Sequence, residues 1–258
     1  MSRSAPLRPT FIIGGAPRSG TTLLCHLLER HPDVYIIQPY IPEPKILVRD
    51  PPGSPEECLR RYAEALAGAQ AQRALGEKTS YYLEQEHAPG AIADTLGGDV
   101  RMLFIVREPV RRAYSNYLWS RKNGLETLPF DEAVRLEGMR PNPLGAARAY
   151  ARPFDYLTRG DYATFAERYF RRFGPDRVKF VLYEDLELRP TGIMEEVQRF
   201  IGVPPIPMDA QSLGRINPAR GVDGPLDPGI ERRLRARMAP AVHRFAAVSG
   251  LDLTAWGY

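Results

Sequence analysis

The sequence predicts a three-layer α/β fold, in which a mostly parallel sheet is flanked by helices. Two observations lead to this prediction. Short apolar runs alternate with amphipathic stretches along the 258 residues, and the buried strands of a parallel sheet have this apolar character. A glycine-bearing loop also follows the first run and leads directly into a helical pattern. The length suits one sizeable core, so we expect a single domain over 1–258, with 1–9 flexible.

The elements follow from apolar periodicity. Strands are predicted at the apolar runs Thr10–Ile13, Val34–Ile37, Val100–Val106 and Val178–Tyr183. Helices are predicted at 21–31, 55–69, 109–122, 130–138, 161–173, 191–201 and 228–248. Two segments rich in proline, 139–160 and 204–229, interrupt the pattern. Long irregular segments in a compact domain are often functional.

The loop after the first predicted strand has the composition of an anion-binding loop. Residues 14–22 read Gly-Gly-Ala-Pro-Arg-Ser-Gly-Thr-Thr. Such a loop directs main-chain N–H groups and the positive end of a helix dipole toward one spot, which favours a phosphate or similar anion. The glycines and Thr22 match a P-loop, but Thr21 replaces the expected lysine and the nearest cation is Arg18. This pattern favours an anionic nucleotide ligand over ordinary NTP hydrolysis.

A second anion site is predicted after the apolar run 102–106. Arg107 follows that strand at its carboxyl end, where open α/β sheets bind ligands. Pro109 suits the first position of a helix, which brings Ser115 into the second turn. A guanidinium and a hydroxyl from one strand–helix unit suit a second phosphate. The alternative is a surface ion pair of Arg107 and a hydroxyl that bonds back to its own helix.

Composition limits the classes of partner. The 35 basic and 31 acidic residues leave a net charge of +4 without a basic tract, which suits an anionic ligand and argues against nucleic-acid binding. No apolar run is long enough for a signal peptide or a membrane span. Cys25 and Cys58 lack metal-ligand spacing, and Cys25 is expected to be a buried free thiol. We therefore expect no metal, no disulfide and a cytoplasmic location.

The two anion sites together resemble those of sulfotransferases that use 3′-phosphoadenylyl sulfate (PAPS). Residues 16–22 resemble the family's 5′-phosphosulfate loop, and Arg107 to Ser115 resemble its 3′-phosphate element. Later segments that resemble the family are Val-Leu-Tyr-Glu-Asp-Leu at 181–186, Phe-Ile-Gly-Val at 200–203 and Asn-Pro-Ala-Arg-Gly at 217–221. The resemblance implies a fold like that of nucleotide kinases. It also implies that PAPS is bound by Arg18, Ser19, Gly20, Thr21, Thr22, Arg107, Ser115, Tyr183, Arg220 and Gly221.

The branch of the family decides the catalytic base. Cytosolic-type members use a histidine, but no segment around a histidine here resembles theirs, so the histidines are interpreted as structural: His26, His31, His87 and His243. Residues 41–47, Ile-Pro-Glu-Pro-Lys-Ile-Leu, resemble the segment that carries a glutamate in the carbohydrate (heparan-type) and tyrosylprotein branches. This likeness implies that Glu43 is the general base. The segment departs from the family at Pro42 and lacks aromatics after Lys45, so a solvated loop acid stays as the alternative.

A further carbohydrate-branch segment implies a catalytic lysine. Residues 76–82 resemble a segment whose lysine faces the reaction centre, so Lys78, with Arg18, is expected to stabilise charge on the transferring group. The alternative is an exposed lysine that pairs with Glu77. Glu184 and Asp185 are interpreted as structural, since neighbours in a strand point to opposite faces.

The resemblance predicts transfer of the sulfuryl group of PAPS to an acceptor hydroxyl on a carbohydrate, glycolipid or natural-product small molecule. An amine is the less expected acceptor, and 38–52 with 139–160 are expected to form the acceptor pocket. One alternative is a P-loop kinase or NTPase, which needs the absent lysine and an acidic strand end for Mg²⁺. The other is a phosphoadenosine-binding protein without catalysis.

Overall fold

A computed structural model describes residues 7–49, 51–207 and 225–258. Among these residues, a five-stranded parallel sheet has the order β2-β3-β1-β4-β5. The strands are β1 (Phe11–Gly15), β2 (Val34–Ile36), β3 (Ala74–Lys78), β4 (Arg101–Val106) and β5 (Val178–Leu182). The helices are α1 (Thr21–Leu28), α2 (Pro55–Ala65), α3 (Ala88–Leu96), α4 (Pro109–Lys122), α5 (Phe130–Arg135), α6 (Tyr162–Phe173), α7 (Tyr183–Leu188), α8 (Pro190–Ile201) and α9 (Pro228–Ser249). The predicted α/β fold class is confirmed.

The chain divides into two compact units, Met1–Val106 with Arg168–Leu213 and Arg107–Glu167 with Gly214–Tyr258. The first unit contains the sheet, because all five strands fall within its ranges. The second contains α4, α5 and α9, while α6 begins in the second unit and ends in the first. The single domain expected over 1–258, with 1–9 flexible, stays a prediction.

Side chains that alternate along β4 pack into the core on both faces of the sheet in the first unit. Leu103 and Ile105 belong to one buried cluster with residues of α1 and α8. The side chain between them, Phe104, points to the other face, as strand geometry requires. There its ring lies 4.6 Å from Tyr169 of α6 and 5.0 Å from Phe180. The carboxyl ends of the parallel strands are therefore set on a rigid core.

The second unit has a smaller, aromatic core. Val110 and Tyr117 of α4 pack with Phe130 of α5, with Tyr156 and with Met238 of α9. Within the predicted irregular segment 139–160, the structure has only two short 3₁₀ turns, Ala146–Ala151 and Thr158–Gly160. That prediction is therefore confirmed.

Three elements were not predicted, and β2 and β5 each end one residue earlier than expected. The sequence pattern missed α3, α7 and β3; β3 reads Ala-Leu-Gly-Glu-Lys and is buried throughout. The prediction searched for apolar runs, and the two charged residues, Glu77 and Lys78, interrupt the run in this strand. The interpretation of Glu184 and Asp185 as strand neighbours is wrong, because β5 ends at Leu182 and both acids lie in α7.

The cysteines are both buried and free, as predicted for Cys25. Burial raises the pKa of the Cys25 thiol, so the thiol stays protonated and is a poor nucleophile. No helix in 7–49, 51–207 or 225–258 has the length and apolar character needed to cross a membrane.

Candidate active site

The loop between β1 and α1 leaves the start of α1 open to an anion. Gly20 precedes the helix with φ 92°, no side chain caps the helix, and its first turn has no acidic residue. Ser19 is fully buried, and its Oγ has no hydrogen-bond partner within the described residues. Uncapped N–H groups at the positive end of a helix, beside an orphaned hydroxyl, fit a phosphate or phosphosulfate. The local structure of the loop therefore suits an anion, and the predicted contacts of its residues with the donor stay predictions.

Tyr183 packs directly on this loop. It is the first residue of α7, and a Cβ atom added to Gly20 would lie 2.6 Å from its Cδ2. The Tyr183 hydroxyl donates a hydrogen bond to Glu187 at 2.7 Å. Glycine is therefore required at position 20 both by the positive φ and by the tyrosine ring. The predicted contact of Tyr183 with the nucleotide is not tested.

Two of the three residues predicted to be catalytic, Glu43 and Lys78, are in contact. The Lys78 Nζ lies 2.8 Å from Glu43 Oε1, and the side chains are 5% and 11% exposed. Ser80 Oγ donates to the same oxygen at 2.7 Å. Glu43 Oε2 is buried and accepts no hydrogen bond from the described residues. Both alternatives, a solvated loop acid and an exposed lysine that pairs with Glu77, are wrong.

The pair lies beside the anion loop at the same edge of the sheet. β1 and β3 are neighbouring strands, and the Thr79 amide donates to the Ile13 carbonyl at 3.1 Å. A Cβ atom on Gly15, at the start of the loop, would lie 3.0 Å from the carbonyl oxygen of Ser80. Since Ser80 binds Glu43, the carboxylate is linked to a residue that touches the loop.

The segment after Glu43 is held over the end of β3. The Lys45 amide donates to Thr79 Oγ1 at 3.1 Å, and the Leu47 amide donates to the Tyr82 hydroxyl at 3.1 Å. Both of these hydroxyls in turn donate to the carboxylate of Glu77. Burial raises the pKa of Glu77, and its hydrogen bonds with hydroxyls oppose the rise. Sequence reasoning missed this network, because no local motif joins its members.

The predicted 3′-phosphate element belongs to the second unit. α4 begins at Pro109, as predicted, and Ser115 is buried in its second turn. The carboxylate of Glu108 caps the helix by accepting hydrogen bonds from the Val110 and Arg111 amides. The carbonyl oxygen of Arg107 accepts a hydrogen bond from Tyr162. The predicted roles of Arg107 and Ser115 in phosphate binding are not tested, and Arg220 and Gly221 lie outside the described residues.

Two of the histidines, His31 and His87, lie within hydrogen-bond distance of main-chain groups, and the structural interpretation of all four stays a prediction. His31 is buried, its Nδ1 accepts from the Asp33 amide at 3.0 Å, and its Nε2 lies 2.7 Å from the Pro204 carbonyl oxygen. The accepting Nδ1 places the ring proton on Nε2, which then donates to the carbonyl. His87 Nε2 lies 3.2 Å from the Leu47 carbonyl oxygen. Across the described part of the chain, no three His, Cys, Asp or Glu side chains group to hold a metal ion; the metal-free reaction stays a prediction.

Comparison with known proteins identifies the family. The profile described as "Sulfotransferase family" matches residues 9–207. The chain belongs to the sulfotransferase family. It is 25% identical over 264 residues to human heparan sulfate glucosamine 3-O-sulfotransferase 3B1, covering 95% of this chain and 64% of that protein. It is 26% identical over 203 residues to human bifunctional heparan sulfate N-deacetylase/N-sulfotransferase 3, covering 76% of this chain and 22% of that one. The chain thus spans less than two thirds of the length of these two curated relatives.

A solved structure supports the same conclusion. The sulfotransferase from Alicyclobacillus acidocaldarius has a TM-score of 0.76 and 27% sequence identity, covering 98% of this chain and 100% of that one. The predictions of the family, of the enzyme class and of the fold class are confirmed for this sulfotransferase.

Proposed function

We propose that this sulfotransferase moves the sulfuryl group of PAPS to an acceptor hydroxyl. The observation that carries the proposal is the hydrogen bonding of the Glu43 carboxylate. One oxygen is held by Lys78 and Ser80, and the other is buried without a hydrogen-bond donor from the described residues. A buried acceptor without a partner calls for one, and the hydroxyl of an acceptor substrate would supply it.

The residues of the site divide the chemical work. Glu43 Oε2 takes the proton of the acceptor hydroxyl as general base. Lys78, held in place by its ion pair with Glu43, and Arg18 provide positive charge where negative charge develops during transfer. A sulfuryl donor has no polyphosphate chain to neutralise, so the proposal needs no divalent metal.

The donor is proposed to be bound by the predicted residues. Ser19, Gly20, Thr21 and Thr22, at the start of α1, take the 5′-phosphosulfate, which the uncapped helix terminus supports. Arg107 and Ser115 take the 3′-phosphate, whose charge suits a guanidinium and a hydroxyl. Tyr183 contacts the adenine, and Arg220 and Gly221 complete the 3′-phosphate site.

The acceptor hydroxyl is proposed to belong to a carbohydrate, a glycolipid or a natural-product small molecule. The support for a carbohydrate-type acceptor is the resemblance of residues 41–47, with Glu43, to the glutamate segment of the carbohydrate branch. A cytoplasmic location and the absence of nucleic-acid binding stay predictions.

A turnover assay tests the proposal. The protein is incubated with radiolabelled PAPS and EDTA, and with matched acceptors: sugars with and without an alkyl tail, hydroxylated small molecules, and amines. We expect label on a hydroxyl of one of these acceptors, and loss of transfer in Glu43→Gln. Tight binding of the phosphoadenosine product without transfer to any acceptor would favour the non-catalytic alternative. Mg²⁺-dependent phosphate transfer from ATP would favour the kinase and overturn the proposal.

A further inference from the structure

A buried acid that the proposed chemistry does not use lies next to the catalytic lysine. The Glu77 side chain is completely buried. Its carboxylate accepts hydrogen bonds from three hydroxyls: Thr79 at 2.7 Å and Tyr82 at 2.8 Å on Oε1, and Tyr62 on Oε2. A buried carboxylate costs free energy that only such bonding offsets. A leucine would fit an ordinary strand core better, so the acid requires an explanation.

Two of the three hydroxyls also accept hydrogen bonds from main-chain amides of the segment that follows Glu43. Each hydroxyl has one proton and two lone pairs. Because Thr79 and Tyr82 donate their protons to Glu77, they present lone pairs to the Lys45 and Leu47 amides, which donate to them at 3.1 Å each. Each chain of hydrogen bonds, from an amide through a hydroxyl to Glu77, is called a relay below. Because the carboxylate can only accept, it fixes the direction of the hydrogen bonds in both relays.

These relays hold the segment that contains Glu43. Lys45 and Leu47 lie two and four residues after Glu43 in the sequence. Ile46, Leu47 and Val48 are buried, which adds apolar contact to the two hydrogen bonds. Glu77 and Lys78 are neighbours in β3 and point to opposite faces. One neighbour therefore binds the Glu43 carboxylate, while the other fixes the main chain that follows it.

We propose that Glu77 is a positioning residue for the general base, acting through Thr79 and Tyr82 on the segment 43–47. The inference rests on the proposed function, in which Glu43 is the base. A base displaced by about 1 Å loses much of its catalytic effect, on the order of 10²-fold. Loss of a relay is therefore expected to lower kcat and to leave donor affinity unchanged.

Two tyrosines provide a matched pair of variants. Tyr62 and Tyr82 are both fully buried and both donate to Glu77. In the described structure, only the Tyr82 hydroxyl also accepts from an amide of the 43–47 segment. Tyr82→Phe is expected to lower kcat about tenfold, whereas Tyr62→Phe, with the same chemical change, keeps kcat within about twofold. Thr79→Val is expected to behave like Tyr82→Phe.

Coupling to the base separates positioning from general destabilisation. In the Glu43→Gln background, Tyr82→Phe is expected to lower the residual rate less than about twofold, because effects of residues that act as a unit are not additive. Glu77→Gln is expected to restore most of the kcat lost in Glu77→Leu, because its carbonyl oxygen can occupy the position of Oε1. Equal effects of Tyr82→Phe with and without Glu43 would overturn the inference.

Amide hydrogen exchange tests the inference without turnover. Exchange at Lys45 and Leu47 is expected to rise about tenfold in Thr79→Val and Tyr82→Phe respectively, and to stay unchanged in Tyr62→Phe. If wild type transfers no sulfuryl group but the exchange pattern holds, the proposed function fails while the anchoring of the segment stands. If wild type is active and the two tyrosine variants match in kcat and in exchange, the positioning role is wrong.

Discussion

The ends of β1 and β3 lie side by side at one edge of the sheet and are built in different ways. After β1, the main chain provides the site: a loop, a positive φ at Gly20 and an uncapped helix start. After β3, side chains provide it, and Lys78 meets a carboxylate from a segment far away in the sequence. In the proposed function, the first site binds the anionic donor through its main chain, and the second performs the acid–base chemistry through its charged side chains.

This difference predicts two opposite kinetic signatures. The main-chain site is proposed to bind the donor, so changes in the loop are expected to act first on donor affinity. The pair at the end of β3 is proposed to contact the reacting groups, so changes there are expected to act on kcat. Variants at the two strand ends that give the same signature would remove the distinction.

The largest effect is expected from Glu43→Gln. The amide keeps the shape of the side chain but cannot take the proton, and loss of a general base lowers kcat about 10²- to 10⁴-fold. Affinity for the phosphoadenosine product, measured by calorimetry, is expected to stay within about threefold, since Glu43 is proposed to contact the acceptor and not the nucleotide. A large loss of donor affinity with kcat retained would assign Glu43 to the donor site instead.

Lys78→Met is expected to have the next largest effect, about 10²- to 10³-fold on kcat, because it removes charge stabilisation at the transferring group. It also leaves the Glu43 carboxylate beside Ser80 without its cation. Breaking a buried ion pair in this way is expected to lower the free energy of unfolding by about 3–5 kcal/mol. Thermal unfolding measures this cost. The double variant Lys78→Met with Glu43→Gln is expected to regain much of the stability but none of the activity. A double variant no more stable than Lys78→Met would contradict the ion-pair interpretation.

Gly20→Val tests the other strand end. The new Cβ would meet Tyr183 at 2.6 Å in a backbone conformation that valine avoids, and such overpacking costs about 1–3 kcal/mol. Donor affinity is expected to fall about 10- to 100-fold, with a smaller change in kcat at saturating PAPS. Gly192→Ala, at a glycine whose added Cβ meets no atom within 4 Å, is the control. Unchanged donor affinity in a folded Gly20→Val protein would exclude the loop as the donor site.

The two strand ends also show what the sequence allows one to predict. The position of the loop between β1 and α1 could be predicted, because such a loop needs contiguous residues with particular backbone freedom; its role as an anion site stays a prediction. α4 was predicted with its observed bounds, because Pro109 and the residues after it signal the start of a helix locally. β3 was missed, because its buried Glu77 and Lys78 are compensated by partners that only the fold brings near.

The pairing of Glu43 with Lys78 had no local signal either. Both residues were assigned roles by resemblance to a family, and the resemblance carried no information about their contact. The hydrogen bonds of Thr79 and Tyr82 were even harder to predict from sequence, since they depend on the directions of the hydroxyl groups. The position of a loop that depends on main-chain geometry can therefore be predicted from sequence. Contacts between side chains that are distant in sequence require the structure.

The smallest effect on catalysis is expected from His31→Asn, which tests whether a histidine and not Glu43 is the base. Both ring nitrogens of His31 already have partners, the Asp33 amide and the Pro204 carbonyl. The variant is expected to lose about 1–3 kcal/mol of stability, because a buried hydrogen-bond partner is removed. Since neither nitrogen is available to a substrate, kcat in the folded variant should match wild type. If His31→Asn abolishes turnover in a folded protein while Glu43→Gln does not, the glutamate branch is the wrong one. The preference for a carbohydrate-type acceptor would then be lost with it.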